Sequence, residues 1–251
     1  MTPMRYVRAP DHVSACDLGP ATVLLDYRTG AVKVLTGLAA RWWAELATTG
    51  DTHTPTTMDG TSALALLGQL HTAGLLVAAE LPRPWPAPVA GRPLTPSWGT
   101  QTVDAGRTPI PSVPYCDLLV AAAALVVVLA VAYVGPAQFR MARITRLLTR
   151  AIRRTFDPAG ADQARQAVHA VRRVGLLAPG RVACLEESAA VALMLALSRQ
   201  RVTWCHGVAA DPICLHAWVE TGGQPVAEPQ STYRYTALRT IPEQVTGDDQ
   251  N

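Results

Sequence analysis

Hydrophobic residues follow a strand pattern near the start of the chain. The mainly apolar segments 21–27 and 31–35 flank Arg28-Thr29-Gly30, and glycine readily adopts the positive φ of a tight turn. The pattern therefore predicts a β-hairpin. The uncovered edge of such a hairpin has free backbone donors and acceptors, so it can accept an extended peptide as an added strand.

Two helix patterns follow the hairpin. Thr36 is placed to cap the first, whose apolar residues recur at spacings of three and four until Gly50. The second covers 61–72 and ends near Gly74, and a short strand is predicted at 75–78. This order predicts a small winged-helix-like domain that binds a peptide or has a structural role. Nucleic acid is not an expected partner, because the recognition helix 61–72 contains no Lys or Arg.

Proline marks a boundary in the middle of the chain. Nine of the 20 prolines lie between Pro82 and Pro114, in a stretch with neither helical nor strand periodicity. Proline lacks a backbone donor and favours extended conformers, so this stretch predicts a semi-rigid linker. The predicted division is a first domain at 1–81, a linker at 82–114 and a second domain at 115–251.

The second domain opens with an uncharged apolar run at 118–134. The run is at the lower limit of length for spanning a bilayer, and arginines follow it. It is also rich in alanine, and a long buried helix at the start of an α-rich domain has the same composition. A buried helix is the favoured interpretation, so a membrane is not an expected partner. Asp157-Pro158 then predicts the start of a helix that ends near Gly175.

The composition is that of a folded protein. There are 22 basic and 19 acidic residues, and a net charge of +3 is too small to indicate a polyanionic partner. The five cysteines form no C-x-x-C pair and have no disulfide-framework spacing, which indicates a reducing compartment. No apolar segment typical of a secretory signal follows residues 1–10. We therefore expect a cytoplasmic protein.

A candidate nucleophile begins a predicted helix in the second domain. Apolar residues at four-residue steps predict a helix at 185–197, and Cys184 lies at its N-terminus. The unpaired amides and the positive end of the helix dipole favour a thiolate there. Glu187 is predicted to face the same side and to oppose that thiolate. A basic partner is therefore required.

The candidate base is His216, on a predicted strand at 213–220. A turn at 221–224 and a returning strand at 225–228 are predicted to place Glu228 beside the imidazole. A carboxylate in that place holds the ring in one tautomer and supports its protonated form. The three residues then have the roles of nucleophile, base and orienting acid.

Other residues of this region compete for the same roles. His206 is an alternative base, and Cys205 and Cys214 are alternative nucleophiles. Cys214 is two positions from His216 on one strand, roughly 6.5–7 Å away, which is too far for a hydrogen bond. A zinc site formed by His206, His216 and Glu220 is a weaker alternative, because the H-E-x-x-H pattern is absent.

These motifs resemble those of one biosynthetic family. The second domain resembles the transglutaminase-like cysteine peptidases of lasso peptide biosynthesis through Cys184-Leu185-Glu186-Glu187-Ser188, His216-Ala217-Trp218-Val219-Glu220 and Glu228. The first domain resembles the leader-recognition element that is similar to the pyrroloquinoline-quinone D protein, through Leu24-Leu25-Asp26, Arg28-Thr29-Gly30, Leu35-Thr36-Gly37 and Trp42. The whole chain thus resembles a fused lasso peptide B protein. One departure is that the third catalytic position of the family is usually Asp, where this chain has Glu228.

The resemblance implies an α+β protein, with a winged-helix-like peptide-binding domain before a transglutaminase-like or papain-like cysteine peptidase domain. Cys184, His216 and Glu228 would form the catalytic triad, without a cofactor or metal. The first domain would bind the leader of a ribosomal precursor peptide, through Ala31, Val32, Lys33, Val34, Leu35, Leu66, Leu67 and Leu70. The second domain would hydrolyse the leader–core bond, so that a separate ATP-using, asparagine-synthetase-like lasso cyclase can act on the core.

Two other functions would use the same residues differently. A transglutaminase-type acyl transferase would exclude water and transfer the acyl group to an amine. A non-catalytic adaptor would bind the leader and would be indifferent to the loss of Cys184. The leader-recognition element argues against the transferase, because a transferase needs a glutamine-bearing substrate rather than a leader.

Overall fold

A computed structural model describes residues 4–92 and 111–243 of the chain. The chain divides into two compact units, Met1–Gly91 and Arg92–Asn251. Both units combine helices with strands, and the first is rich in strands. The predicted α+β class is confirmed at this level. Most of the predicted linker, 93–110, lies outside the described residues.

The first unit is a four-stranded sheet with two helices and a separate two-stranded pair. The sheet has the order β4-β3-β2-β6, and β1 pairs with β5. Tryptophans and leucines of the helices pack with apolar residues of the strands in one core. The elements are β1 (Val7–Arg8), β2 (Val13–Asp17), β3 (Ala21–Asp26), β4 (Val32–Thr36), α1 (Leu38–Thr49), α2 (Gly60–Thr72), β5 (Val77–Ala78) and β6 (Val89–Ala90).

The predicted hairpin is present as β3 and β4, but it is not the whole sheet. β2 pairs antiparallel with β3 and was missed, because Val13–Asp17 mixes apolar and polar residues without a clear alternation. The predicted cap was wrong: Thr36 is the last residue of β4, and Gly37, with φ of 55°, is the N-cap of α1. Glycine can adopt this backbone conformation without the steric cost that a Cβ would add.

The start of the predicted linker is part of the first unit. Trp85 packs edge-on against Trp43, with 5.8 Å between the ring centroids. β6 then pairs in parallel with β2. The aromatic contact and the backbone pairing therefore extend the folded unit beyond residue 81, the limit expected from proline content.

In the described residues of the second unit, four α-helices lie against an antiparallel sheet of order β11-β10-β9-β12. The most buried helix is α6, which contacts the other three helices and β10. A short parallel pair, β7 with β8, lies apart from the sheet. The elements are α3 (Tyr115–Tyr133), α4 (Arg140–Ile152), β7 (Asp157–Pro158), α5 (Ala161–Gly175), α6 (Cys184–Leu197), β8 (Gln200–Arg201), β9 (Thr203–Ala209), β10 (Cys214–Thr221), β11 (Gln224–Pro225) and β12 (Thr236–Ile241).

Two predicted boundaries in this unit were wrong. Asp157 and Pro158 do not start a helix, because their backbone pairs with β8 and the helix begins at Ala161, after Gly160. The returning strand ends at Pro225 rather than at Glu228. The chain turns away there because Ala227 has a positive φ of 52°.

The apolar run at 118–134 forms α3, and only one side of this helix is buried. Ala121, Ala124, Leu125, Val128 and Ala132 pack in the core of the unit. By length and composition α3 could cross a membrane, and only 28% of its most apolar window is buried. The prediction of a buried helix therefore holds for one face of α3, and the other face is exposed to solvent.

Candidate active site

The contact between α6 and β10 brings together two of the predicted site residues. Cys184 is the first residue of α6, and His216 is the third residue of β10. Glu228 comes from the segment after β11, and its carboxylate reaches the same imidazole. The structure thus gathers all three residues, although they come from three different parts of the chain.

The first turn of α6 presents backbone donors to the thiol. The N-cap is Ala183, whose side chain cannot accept a hydrogen bond, so the amides of this turn have no side-chain cap. The amides of Leu185 and Ala217 instead donate to the Cys184 sulfur. Glu186 is fully buried and anchors the turn, because it accepts from the Ala183 amide and pairs with Arg140.

His216 is held between the acid and the thiol. Its Nε2 lies 2.8 Å from Oε2 of Glu228, which leaves Nδ1 for the hydrogen bond between His216 and the Cys184 thiol. The acid also receives a hydrogen bond from the Thr232 hydroxyl, at 3.2 Å. This is the order thiol, imidazole, carboxylate that a nucleophilic triad requires.

The electrostatics of the pair favour the ionised forms. Burial alone would raise the pKa of Cys184, but the hydrogen bonds from His216 and from the Ala217 amide outweigh it and lower that pKa. Burial would lower the pKa of His216, but the Cys184 and Glu228 contacts outweigh it and raise that pKa to about 9. Both shifts therefore favour a thiolate–imidazolium pair over the neutral thiol and imidazole.

Arg172 completes the site, and sequence reasoning missed it. On α5, its guanidinium donates from Nε to Glu187 at 2.7 Å, from Nη2 to Glu228 at 2.8 Å and from Nη1 to the Ala227 carbonyl at 2.6 Å. Glu187 is thus paired with a cation, which offsets the repulsion predicted between its carboxylate and the thiolate. A basic residue in the last turn of a helix usually complements the helix dipole, and nothing local predicts contacts 15, 55 and 56 positions away.

Aromatic rings enclose the imidazole. Trp218 stacks on His216 with 5.8 Å between ring centroids and an interplanar angle of 12°, and Tyr235 lies tilted at 5.1 Å. The Trp218 indole donates to Glu220 at 2.8 Å, which fixes its orientation. Aromatic faces within about 6 Å of a cation stabilise it, so these rings also favour protonated His216.

Gly207 allows this close packing. It is the direct cross-strand partner of His216, on β9. A Cβ on this glycine would collide with the carbonyl of Thr236 and would lie 3.0 Å from the Trp218 ring. Any larger residue would therefore have to displace the backbone of β12 and would also crowd the tryptophan.

The competing residues occupy environments that do not suit catalysis. The partner of His206 in the sheet is Ala217, so His206 lies on the opposite face from His216, and burial lowers its pKa to about 4. Burial and the neighbouring Glu220 raise the pKa of the Cys205 thiol, which keeps it protonated. Cys214 contacts the Tyr235 hydroxyl at 3.3 Å instead of an imidazole.

No metal site accompanies these groups within 4–92 and 111–243. In this part of the chain no three His, Cys, Asp or Glu side chains are grouped so that they could hold a metal ion. The set His206, His216 and Glu220 does not converge, because His206 is on the opposite face of the sheet from the other two. The zinc alternative therefore has no support in the geometry.

The predicted leader-binding residues divide into two groups. Ala31, Val32, Lys33 and Val34 are exposed on or beside β4, an edge strand in the described part of the sheet. The side chains of Leu35, Leu67 and Leu70 are in the core, and that of Leu66 packs against it. The predictions for Leu35, Leu67 and Leu70 were wrong, because core side chains are not available to a peptide. Leu66 is only partly buried and stays a prediction.

The register between β3 and β4 determines which backbone groups of β4 face the open edge. The Asp26 amide bonds to the Ala31 carbonyl, so the residues of β3 that bond to β4 are Thr22 and Leu24. Their partners in the register are Leu35 and Lys33. The backbone groups of Val32 and Val34 consequently point away from β3, toward the open edge.

Comparison with known proteins found a family match for one part of the chain. A family model described as the transglutaminase-like superfamily matches residues 125–240, a range that contains Cys184, His216 and Glu228. The C-terminal half of the chain therefore contains a transglutaminase-like domain. No curated protein and no solved structure gave a match. A transglutaminase-like domain with this triad indicates a cysteine-dependent hydrolase or acyl transferase.

Proposed function

We propose that the protein is a cysteine peptidase that removes the leader from a ribosomally made precursor peptide during lasso peptide maturation. The observation that carries the peptidase is the contact series from Cys184 through His216 to Glu228 at the start of a buried helix. The leader and the lasso pathway rest on the resemblance described above and on the open edge of β4. Its partners would be the precursor and the ATP-using cyclase that closes the ring.

The chemistry follows from the residues of the site. The Cys184 thiolate attacks the scissile carbonyl, and His216 donates its proton to the leaving amine. Water, activated by the imidazole, then hydrolyses the thioester. The amides that donate to the sulfur, those of Leu185 and Ala217, are candidate donors for the negative charge that develops on the carbonyl oxygen.

The experiment that tests the peptidase uses a candidate precursor, which is sought as a short open reading frame beside this gene. The full-length protein is incubated with the precursor, and peptide masses are followed in water labelled with ¹⁸O. We expect a mass loss equal to the leader, with one labelled oxygen in the new carboxylate. Cys184→Ala abolishes cleavage, whereas Cys116→Ala, which alters an exposed cysteine of the same unit, leaves it unchanged.

Three results would contradict the proposal of a cysteine peptidase. Cleavage by the Cys184→Ala protein would exclude Cys184 as the nucleophile. Product that carries an added amine, and no label from water, would show an acyl transferase instead. Intact precursor that binds equally to both proteins would indicate an adaptor.

The open edge of β4 in the first unit supports the proposal that the protein binds a leader peptide. An extended peptide beside β4 would pair with the outward backbone groups of Val32 and Val34, and this needs no charge. Val34→Pro removes one outward amide and leaves the ladder between β3 and β4 intact. We expect leader binding to weaken by about tenfold, since one backbone hydrogen bond contributes about 1 kcal/mol and proline also crowds the edge.

The control for this change is Val34→Thr, which keeps the amide and the β-branched shape. Binding is measured by fluorescence anisotropy of a labelled leader peptide. Equal affinity of the proline variant, the threonine variant and the unaltered protein would show that the leader does not bind at this edge. That result would leave the peptidase assignment untouched.

A further inference from the structure

The outer face of α3 is an uninterrupted apolar surface. The side chains of Leu119, Val126 and Val134 are 73%, 65% and 73% exposed. From Leu119 to Ala130 every outward position is apolar, and the sequence from 118 to 134 contains no charged residue. Soluble proteins rarely expose a contiguous apolar patch of this kind without a partner.

Arginines border this surface along α4. Residues 118–156 contain six arginines and no Asp, Glu or Lys, although the whole chain has a net charge of only +3. Arg140 pairs with Glu186, and Arg143 donates to the carbonyls of Val131 and Ala132 at the end of α3. In the described part of the chain, Arg146 and Arg150 form no ion pair, and they lie one helical turn apart on α4.

Apolar and basic groups meet in one groove between α3 and α4. The groove has a volume of about 480 Å³, and its lining combines an apolar wall with a row of arginines: Ala130, Val131, Val134, Leu147, Arg143, Arg146 and Arg150. An acyl chain fits the wall, and a phosphate headgroup fits the arginines. An anionic phospholipid has both groups, so the charge and polarity of the groove complement those of this lipid class.

We propose that the face formed by α3 and α4 binds the surface of an anionic lipid bilayer. α3 lies in the interface and does not cross the membrane, because its other side packs against α4, α5 and α6 in the core. The apolar outer face enters the boundary between headgroups and acyl chains, while Arg146 and Arg150 contact phosphates. The proposal concerns a surface separate from the thiol site and does not depend on the reaction.

Two other occupants fit the face less well. A symmetrical contact between two copies would bring both arginine rows together, with no acidic residue between 118 and 156 to offset them. A protein partner usually forms about one hydrogen bond per 100–200 Å² of interface. The outward residues of α3 between Leu119 and Ala130 have no polar side chain, and a lipid phase requires none.

The test is flotation of the full-length protein with vesicles. Vesicles of phosphatidylcholine alone are compared with vesicles that also contain phosphatidylglycerol, at low and high salt. We expect binding to the anionic vesicles only, and weaker binding as salt rises. A single arginine near an anionic surface accounts for about fivefold in affinity, so Arg146→Gln with Arg150→Gln should weaken binding about 25-fold.

A second variant tests the apolar contribution. Leu119→Gln with Val126→Gln should weaken binding by about tenfold or more, because two exposed apolar side chains no longer enter the lipid. The matched controls are Leu81→Gln, which has the same 73% exposure as Leu119, and Arg83→Gln, an exposed arginine of the first unit. Thermal unfolding by circular dichroism establishes that all the variants fold.

Retained binding by both controls, with loss in both double variants, supports the proposal. Absence of flotation with anionic vesicles overturns it, and an acidic protein would then be the occupant to seek. Equal flotation with neutral and anionic vesicles, or equal loss in the controls, also overturns it, because the arginines of α4 would then have no specific part.

Discussion

Glu228→Gln tests how the carboxylate controls the charge of His216. In the unaltered protein the pKa of His216 is raised to about 9, and the Glu228 carboxylate contributes both a hydrogen bond and its negative charge. Glutamine keeps the shape and removes the charge. An opposite charge at this distance typically shifts a pKa by 1–3 units, so the pKa of His216 should fall to roughly 6–8.

A lower pKa of His216 should shift the pH profile of catalysis in one direction. The reactive ion pair requires protonated His216, so activity falls as the pH rises through the pKa of this imidazole. For the unaltered protein we expect the alkaline limb of kcat/KM near pH 9. For Glu228→Gln the same limb should move to lower pH by at least about one unit.

The assay is the rate of precursor cleavage at limiting substrate, from pH 5 to pH 10. The control is Glu220→Gln, which also removes a carboxylate beside an aromatic residue of the site but does not contact His216. Its alkaline limb should stay where it is in the unaltered protein. An alkaline limb that is the same in Glu228→Gln would refute the idea that this carboxylate supports the imidazolium.

Two further predictions concern the residues around the triad. Arg172→Met leaves the carboxylates of Glu187 and Glu228 without their cation, so the pKa of Cys184 should rise and stability should fall by about 2 kcal/mol. The pH dependence of alkylation measures the first effect, and urea unfolding measures the second. An alkylation profile equal to that of the unaltered protein would contradict the role of Arg172. Gly207→Ala forces the backbone of β12 to move and crowds the Trp218 ring, so stability should fall by about 1–3 kcal/mol with loss of activity. An unchanged urea midpoint would show that the site has room for a side chain.

Local patterns predicted the elements that carry the triad. The helix that starts at Cys184 and the strand that holds His216 follow from periodicity, because burial of one face imposes it. The pairing of Glu228 with His216 also followed, because a tight turn returns the chain along the same strand. Glu228 nevertheless reaches the ring from an irregular segment, and only the backbone of Ala227 in the structure reveals this.

Contacts between distant segments could not be predicted in this way. Arg172 meets Glu187 and Glu228 only because α5 packs against α6, and packing of two helices is a property of the tertiary fold. The strand β2 was missed for a related reason. Its extended conformation depends on pairing with β3, and its own sequence pattern does not indicate a strand. Likewise, periodicity cannot show which side of an apolar helix such as α3 remains open.

The thiolate–imidazolium pair is tested most directly by the reactivity of Cys184, since this measurement needs no precursor peptide. The rate of alkylation by iodoacetamide is measured against pH, and the modified cysteine is identified by peptide mapping. We expect Cys184 to react with a midpoint below the ordinary thiol value of 9.0, and His216→Ala to raise this midpoint. Identical profiles for the two proteins, or preferential modification of Cys205 or Cys214, would contradict the thiolate–imidazolium pair.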